Sequence, residues 1–327
     1  MTKAKPFIKW VGGKTQLIEQ LDAQLPADFD KWENVTYIEP FVGGGAMLFY
    51  MLQKYPNIHR VVINDINRDL TTCYETVRDQ PNELIASLKE LEDSYLALNM
   101  DEREKFFLST RARYNEKNLD AVNNTALFFF LNRTCFNGLY RVNKSGSFNV
   151  PFGKYVNPTI CDPATIRKDS TFLKRVEILT GDFENTFKYA SGNTLFYFDP
   201  PYRPLSGTSS FKDYTKEVFN DEEQIRLKHF CDRINSAGFK FMLSNSDGRG
   251  KDVTDDFFDR LYADYPIERV WAARSVNSNP KKRGKLTEIL VHNYLDTKEK
   301  SETDTDLQNS LFVAEEKTEY AVLLLVR

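Results

Sequence analysis

Asp199-Pro200-Pro201-Tyr202 constrains this chain more than any other stretch. The five residues before it, Thr194-Leu195-Phe196-Tyr197-Phe198, are apolar and aromatic and have the length of a strand. Two consecutive prolines end that strand, because proline lacks a backbone N–H and fixes φ. An acid, two donor-free carbonyls and an aromatic ring are thereby set at the carboxyl end of a buried strand. Open α/β sheets hold their ligands at that edge. The turn is rich in acceptors and carries a π-face, so it suits a planar substrate with an amino group.

The same alternation of strand, turn and helix recurs elsewhere. Residues 35–39 lead into Pro40-Phe41-Val42-Gly43-Gly44-Gly45 and an apolar helical run. Such a turn lets a ligand approach the backbone. It lacks the complete G-x-G-x-x-G spacing, which argues against a nicotinamide cofactor. A second strand, 60–65, ends in Asp65 about 20 residues beyond the glycines, where an acid accepts from a ribose hydroxyl pair. The competing role for Asp65 is a cap on the helix after Asn67. Together the glycine turn and Asp65 point to an adenosine-containing cofactor. A third strand from Val176 ends in Asp182-Phe183, an acceptor and a ring for adenine unless it is an ordinary loop. Further strands are expected at 240–247 and 288–294, and a helix at 221–237. Near the start, Gly12-Gly13-Lys14-Thr15 resembles the end of a phosphate loop, but Ile8 stands where a nucleotide triphosphatase needs glycine. A tight turn bringing Lys14 to an anion at a helix N-terminus remains.

Residues 70–156 read differently. Leu84, Leu88, Leu91, Tyr95 and Leu98 recur at helical spacing with no strand rhythm, which predicts an inserted helical subdomain. Its last part, 132–154, interleaves amides, cations and aromatics. The net charge of −3 conceals how the charges are distributed. Residues 121–161 hold four cations and no acid, residues 269–287 six cations and no acid, and the tail from 296 a net −4. Concentrated basic stretches suit nucleic acid, although solvated faces would look the same. Arginine pairs with guanine and asparagine with adenine, and an apolar side chain can wedge between bases. Four scattered cysteines and three dispersed histidines form no metal-ligand spacing, and the thiols are expected to be reduced. No run approaches the ~20 apolar residues of a membrane span, and no apolar signal core follows the first residues. The expected place of the protein is the cytoplasm. The small-residue loop 206–214 is expected to cover the site. The role of the apolar run 320–326 is open.

The motifs together, in this order, resemble the Dam-type N6-adenine-specific DNA methyltransferases, the D12 class of the α group. They are Lys9-Trp10-Val11-Gly12-Gly13-Lys14, Glu39-Pro40-Phe41-Val42-Gly43-Gly44-Gly45, Asn64-Asp65, Asn137-Gly138-Leu139, Phe148-Asn149-Val150-Pro151-Phe152-Gly153, Asp199-Pro200-Pro201-Tyr202 and Ser244-Asn245. The resemblance implies an α/β fold: a Rossmann-like, S-adenosylmethionine-dependent methyltransferase sheet with an inserted, mainly helical target-recognition domain. Residues 1–70 and 156–295 would form the catalytic domain and 71–155 the recognition domain. The resemblance does not reach 296–327.

By the same resemblance, Trp10, Lys14, Phe41, Gly43, Gly45, Asp65, Asp182, Phe183 and Asp199 hold S-adenosyl-L-methionine. Asp199, Pro200 and Tyr202 carry the chemistry, with no metal. Lys9 and Arg141 each read a guanine of GATC, Leu139 and Pro151 touch the central bases, and Phe136 beside Asn137 fills the gap of a flipped adenine. The implied partner is double-stranded DNA, and the implied state is a monomer. Whether a cognate restriction endonuclease acts on the same site is open. Two other readings compete. Ribosomal RNA guanine-N2 methyltransferases share the Asp-Pro-Pro-Tyr turn but lack the first motif and the insertion. A catalytically dead DNA-binding scaffold would lose cofactor binding. Protein glutamine methyltransferases usually begin this turn with Asn.

Overall fold

The computed structural model describes residues 3–203, 219–250, 252–273 and 285–294. The expected cover loop 206–214, most of the basic stretch after Ala273 and the tail beyond 295 lie outside the described residues.

Seven strands form one sheet in the order β3-β2-β1-β4-β5-β7-β6. They are β1 (Val35–Glu39), β2 (Ile58–Asp65), β3 (Val176–Thr180), β4 (Thr194–Phe198), β5 (Lys240–Ser246), β6 (Ile267–Ala273) and β7 (Lys285–His292). Every residue of β1 and β4 is buried. Such unbroken runs belong to parallel strands covered on both faces. All neighbouring pairs from β3 to β5 are parallel, and β7 is antiparallel to both β5 and β6. From β1 the chain winds outward to β2 and β3, then returns to β4 and winds the other way. The reversal opens a crevice beyond the carboxyl ends of β1 and β4.

The pleat sorts side chains onto two faces. Tyr37, Leu195, Tyr197 and Met242 join one core, and Ile38, Phe196, Phe198 and Leu243 join the other. The first face is covered by α2 (Ala46–Lys54), α3 (Arg68–Asp79) and α7 (Pro163–Leu173), together with α1 (Ile18–Ala23). The second is covered by α8 (Asp221–Ser236) and α9 (Phe257–Leu261).

Three further helices stand between β2 and β3: α4 (Pro81–Leu96), α5 (Met100–Asn115) and α6 (Ala121–Thr134). Asn99 and Glu102 close a capping box at the start of α5. α6 is buried at every position from Thr125 to Asn132, as a helix enclosed by its neighbours must be. The expected boundary at 70/71 falls inside α3. That helix is tied to the sheet, with Thr71 Oγ1 2.7 Å from Thr180 Oγ1 and Arg78 donating to the Val176 carbonyl at 3.2 Å.

β6 is not among the strands expected from the sequence. Its Arg269 reads as the start of the basic stretch 269–287, but it is neutralised by Asp247 at 3.0 Å and Asp259 at 2.8 Å. No helix among the described residues is long and apolar enough to cross a membrane.

Candidate active site

At the carboxyl end of β4 the chain turns away through Asp199-Pro200-Pro201-Tyr202. Lys14, brought in by the 3-10 turn before α1, places its ammonium 3.0 Å from Asp199 Oδ1 and 2.8 Å from Glu288 Oε2 on β7. It also hydrogen-bonds the Tyr202 hydroxyl and lies 4.6 Å from the centre of that ring. The Tyr202 hydroxyl donates to Glu288 Oε1 at 2.8 Å. Burial pushes the Asp199 carboxyl up to about 6, against the downward pull of Lys14. Burial alone would lower the Lys14 pKa, but the carboxylates of Asp199 and Glu288 more than reverse that and keep it charged.

Lys14 opens the 3-10 turn Lys14–Gln16 ahead of α1, and its ammonium is clamped between two carboxylates of the protein. Its side chain is 3% exposed. The turn is braced from behind by Gln224 of α8, which donates to the Pro201 carbonyl at 3.2 Å and accepts from Asn245 Nδ2 at 3.1 Å. Glu39, at the end of β1, accepts from the Tyr37 hydroxyl at 2.6 Å. Burial, added to by Asp199 and eased by Tyr37, raises its carboxyl to about 8.

Along the crevice, Gly43 and Gly45 adopt φ of 49° and 73°, the left-handed region that favours glycine. A Cβ on Gly43 would lie 2.9 Å from the Trp10 ring, and one on Gly45 2.5 Å from the Tyr74 hydroxyl. The Gly43 N–H donates to Asp65 at 3.1 Å, and the Tyr74 hydroxyl donates to the Gly43 carbonyl at 2.9 Å. Burial raises Asp65 to about 6, opposed by the N–H groups of Asn67 and Gly43. The cap of α3 is Asn67, whose side chain accepts from Asp69 and Leu70. Asn64 donates to the carbonyls of Pro40 (3.0 Å) and Gly181 (2.9 Å), joining the ends of three strands. Phe41 and Phe183 stand 5.2 Å apart, with Phe219 within 6.3 Å of both. Asp182 is paired with Arg226 at 2.7 Å and accepts from the Glu184 N–H, so its carboxyl stays low despite burial. The Arg226 guanidinium lies 4.2 Å from the Phe183 ring centre.

The segment after α6 folds back as a hairpin. Asn143 turns it, accepting from the N–H groups of Ser145 and Ser147, and Val142 bridges Phe148. Asn115 of α5 grips Phe148 through both its N–H (2.8 Å) and its carbonyl (3.0 Å). Asn149 accepts from Arg141 Nε at 2.7 Å and so aims the guanidinium. Phe136 is 52% exposed; its N–H donates to the carbonyl of Pro151, which is also exposed. Asn132, fully enclosed, accepts from the Lys9 N–H and donates to the carbonyls of Lys9 and Gly138. The Lys9 ammonium lies 5.0 Å from the centre of the Tyr155 ring. Trp10 next to it stacks on Tyr140 at 5.5 Å, linking the hairpin to the glycine turn.

Residues 10–276 match the family model of the D12 class N6 adenine-specific DNA methyltransferases. The chain belongs to that family. It is 46% identical over 295 residues to the type II methyltransferase M.MjaIII of Methanocaldococcus jannaschii, covering 89% of this chain and all of that one. It is 36% identical to the type II methyltransferase M1.LlaDCHI of Lactococcus lactis subsp. cremoris, covering 89% and 95%. With the DNA adenine methylase of Escherichia coli K12 it shares 29%, over 89% and 96%. The protein is thus a D12-class adenine-specific DNA methyltransferase, and its sheet is the Rossmann-like sheet of that class.

In this methyltransferase the residues expected to act together fall into three adjoining groups. Asp199, Tyr202 and Lys14 meet at the β4 turn. Trp10, Gly43, Gly45 and Asp65 meet at the glycine turn, with Phe41 and Phe183 forming an aromatic wall. Lys9 packs on Gly138, one residue before Leu139, while Arg141 lies on the hairpin. Glu288, Gln224 and Arg226 are not among the site residues expected from the sequence, and Asn132 figures there only as one of the amides of 132–154. A lone acid in the apolar run Glu288-Ile289-Leu290-Val291 was the one available signal; the other three act through pairings across distant elements.

Proposed function

We propose that this chain transfers a methyl group from S-adenosyl-L-methionine to N6 of an adenine flipped out of double-stranded DNA, within GATC. The observation that carries the reading is the half-buried Asp199 carboxylate held by Lys14 at the end of β4, beside the exposed Tyr202 ring. Adenine's amino nitrogen is a poor nucleophile because its lone pair is delocalised into the ring. Asp199 and the Pro200 carbonyl accept its two N–H bonds and favour a pyramidal nitrogen. Positive charge developing on that nitrogen is balanced by the carboxylate. Tyr202 stacks on the base, and in-line transfer depends on this positioning.

The residues of the crevice fit the cofactor. Asn64 Oδ1 is buried with no hydrogen-bond partner among the described residues, and it neighbours Asp65 in sequence. These acceptors suit ribose hydroxyls; the Phe41–Phe183 wall with Asp182 suits adenine, and the turn beside Trp10 suits the methionine part. S-adenosylmethionine supplies an electrophilic methyl on sulfur.

The base is out of reach inside a duplex, so it is flipped. The hairpin carrying Phe136, Leu139, Arg141 and Pro151 forms, with Lys9, the recognition surface. Phe136 fills the gap, and Lys9 and Arg141 each read a guanine. The type II names of two relatives support pairing with a restriction endonuclease of the same site. The test is incubation of an unmethylated plasmid with the protein and S-adenosylmethionine, read by modified-base sequencing. N6-methyladenine confined to GATC is expected. Another motif would sink the Lys9 and Arg141 assignments, and modification of RNA alone would sink the DNA reading.

A further inference from the structure

Glu288 is a single acid in a strand whose next three residues, Ile289, Leu290 and Val291, are fully buried. A carboxylate in such a place is costly unless it is paired. Its two oxygens are used separately, Oε2 by Lys14 and Oε1 by the Tyr202 hydroxyl, each at 2.8 Å. Both partners belong to the β4 turn's surroundings, and Lys14 is shared with Asp199. Asp199 is also faced by Tyr197 from β4, Ser244 from β5 and Glu39 from β1.

The charges explain why the shared lysine needs a second acid. Lys14 with Asp199 alone is neutral, and its ammonium occupies a lone pair that an amino N–H would use. With Glu288 the group carries one net negative charge, and Lys14 is drawn to two acceptors. We propose that Glu288 is a positioning residue for methyl transfer: it fixes the Tyr202 ring and holds Lys14 partly off Asp199, so that Asp199 faces the reacting nitrogen as a charged acceptor. This rests on the reading of Asp199 as the acceptor of the amino protons.

The test is single-turnover methyl transfer to a GATC duplex by the full-length wild type, Glu288→Gln and Glu288→Asp, as a function of pH. Gln keeps the shape and removes the charge. Its plateau rate is expected to fall roughly 10- to 100-fold, less than the about 100- to 1000-fold seen on losing a group in direct contact with developing charge. Cofactor and duplex affinities should stay as in the wild type. The acidic limb should move to lower pH, because Glu288 raises the Asp199 pKa and its loss lets Lys14 lower it further. Asp keeps the charge, so its limb should stay at the wild-type pH while the rate falls less. A Gln variant matching the wild type in plateau and limb would overturn the proposal, as would a slower Gln variant whose limb does not move. If the Gln variant fails to fold, Glu288→Asp decides. A reduced plateau with an unmoved limb supports the proposal, and a full plateau overturns it. A wild type that makes no N6-methyladenine would instead sink the underlying reading of the site.

Discussion

Gln224→Leu separates bracing of the β4 turn from contact with substrate. Gln224 is completely buried, donates to the Pro201 carbonyl and accepts from Asn245, itself completely buried. Leucine nearly matches glutamine in volume, so cavity and overpacking terms stay small. The main cost is the Asn245 amide left without its acceptor, about 1–3 kcal/mol. Losing the hydrogen bond to the Pro201 carbonyl adds about 0.5–1.5 kcal/mol, since that residue is exposed and water can replace the donor. The sum is roughly 1.5–4.5 kcal/mol, read as a shift of the urea midpoint at constant m. Adding Asn245→Leu removes the orphaned amide, so the double variant should lose less than the two singles together, with coupling of about 1 kcal/mol or more. The transfer rate should fall in Gln224→Leu while cofactor affinity holds, because the glycine turn is untouched. A stability change below about 0.5 kcal/mol, or additive single losses, would refute the bracing argument.

With Asp199 as the proposed acceptor, methyl transfer should rise with pH through about 6, the value to which burial raises its carboxyl; a pH–rate profile checks this. Asp169 is fully buried, with one oxygen unpartnered among the described residues, and burial raises it from 3.8 to about 8. The folded state therefore holds a proton that the unfolded state has lost, and stability should fall as pH climbs from about 4 to 8. Asp169→Asn should flatten that slope in denaturant titrations. Gly45→Ala should cost about 1–2 kcal/mol for the left-handed backbone and more for the clash with the Tyr74 hydroxyl, read by thermal melting and weaker cofactor binding.

The central strands were legible because β1, β2 and β4 carry short apolar runs ended by Pro40, Asp65 and Asp199. The helical insertion was legible because its leucines keep helical spacing. β6 was not, because Glu268 and Arg269 find their partners only in space: Arg269 on Asp247 and Asp259, and Glu268 close to His292. The reversed direction of β7 is a property of chain path that no local pattern encodes. In the site, motif residues announced themselves by type and order. Lys14 stood out as a lysine after paired glycines, but its burial between Asp199 and Glu288 depends on strands far along the chain and left no local signal. Glu288 and Arg226 were hidden because an ion pair between distant elements leaves no trace in either segment alone.

The most direct measurement compares the wild type with Asp199→Asn on one GATC duplex. It follows methyl transfer to adenine N6 by mass spectrometry and cofactor binding by calorimetry. Asn keeps the size of the side chain but removes the charge proposed to balance the reacting nitrogen. Abundant N6-methyladenine from the wild type is expected, with transfer abolished and cofactor binding largely retained in the variant. Normal turnover by Asp199→Asn would contradict the account.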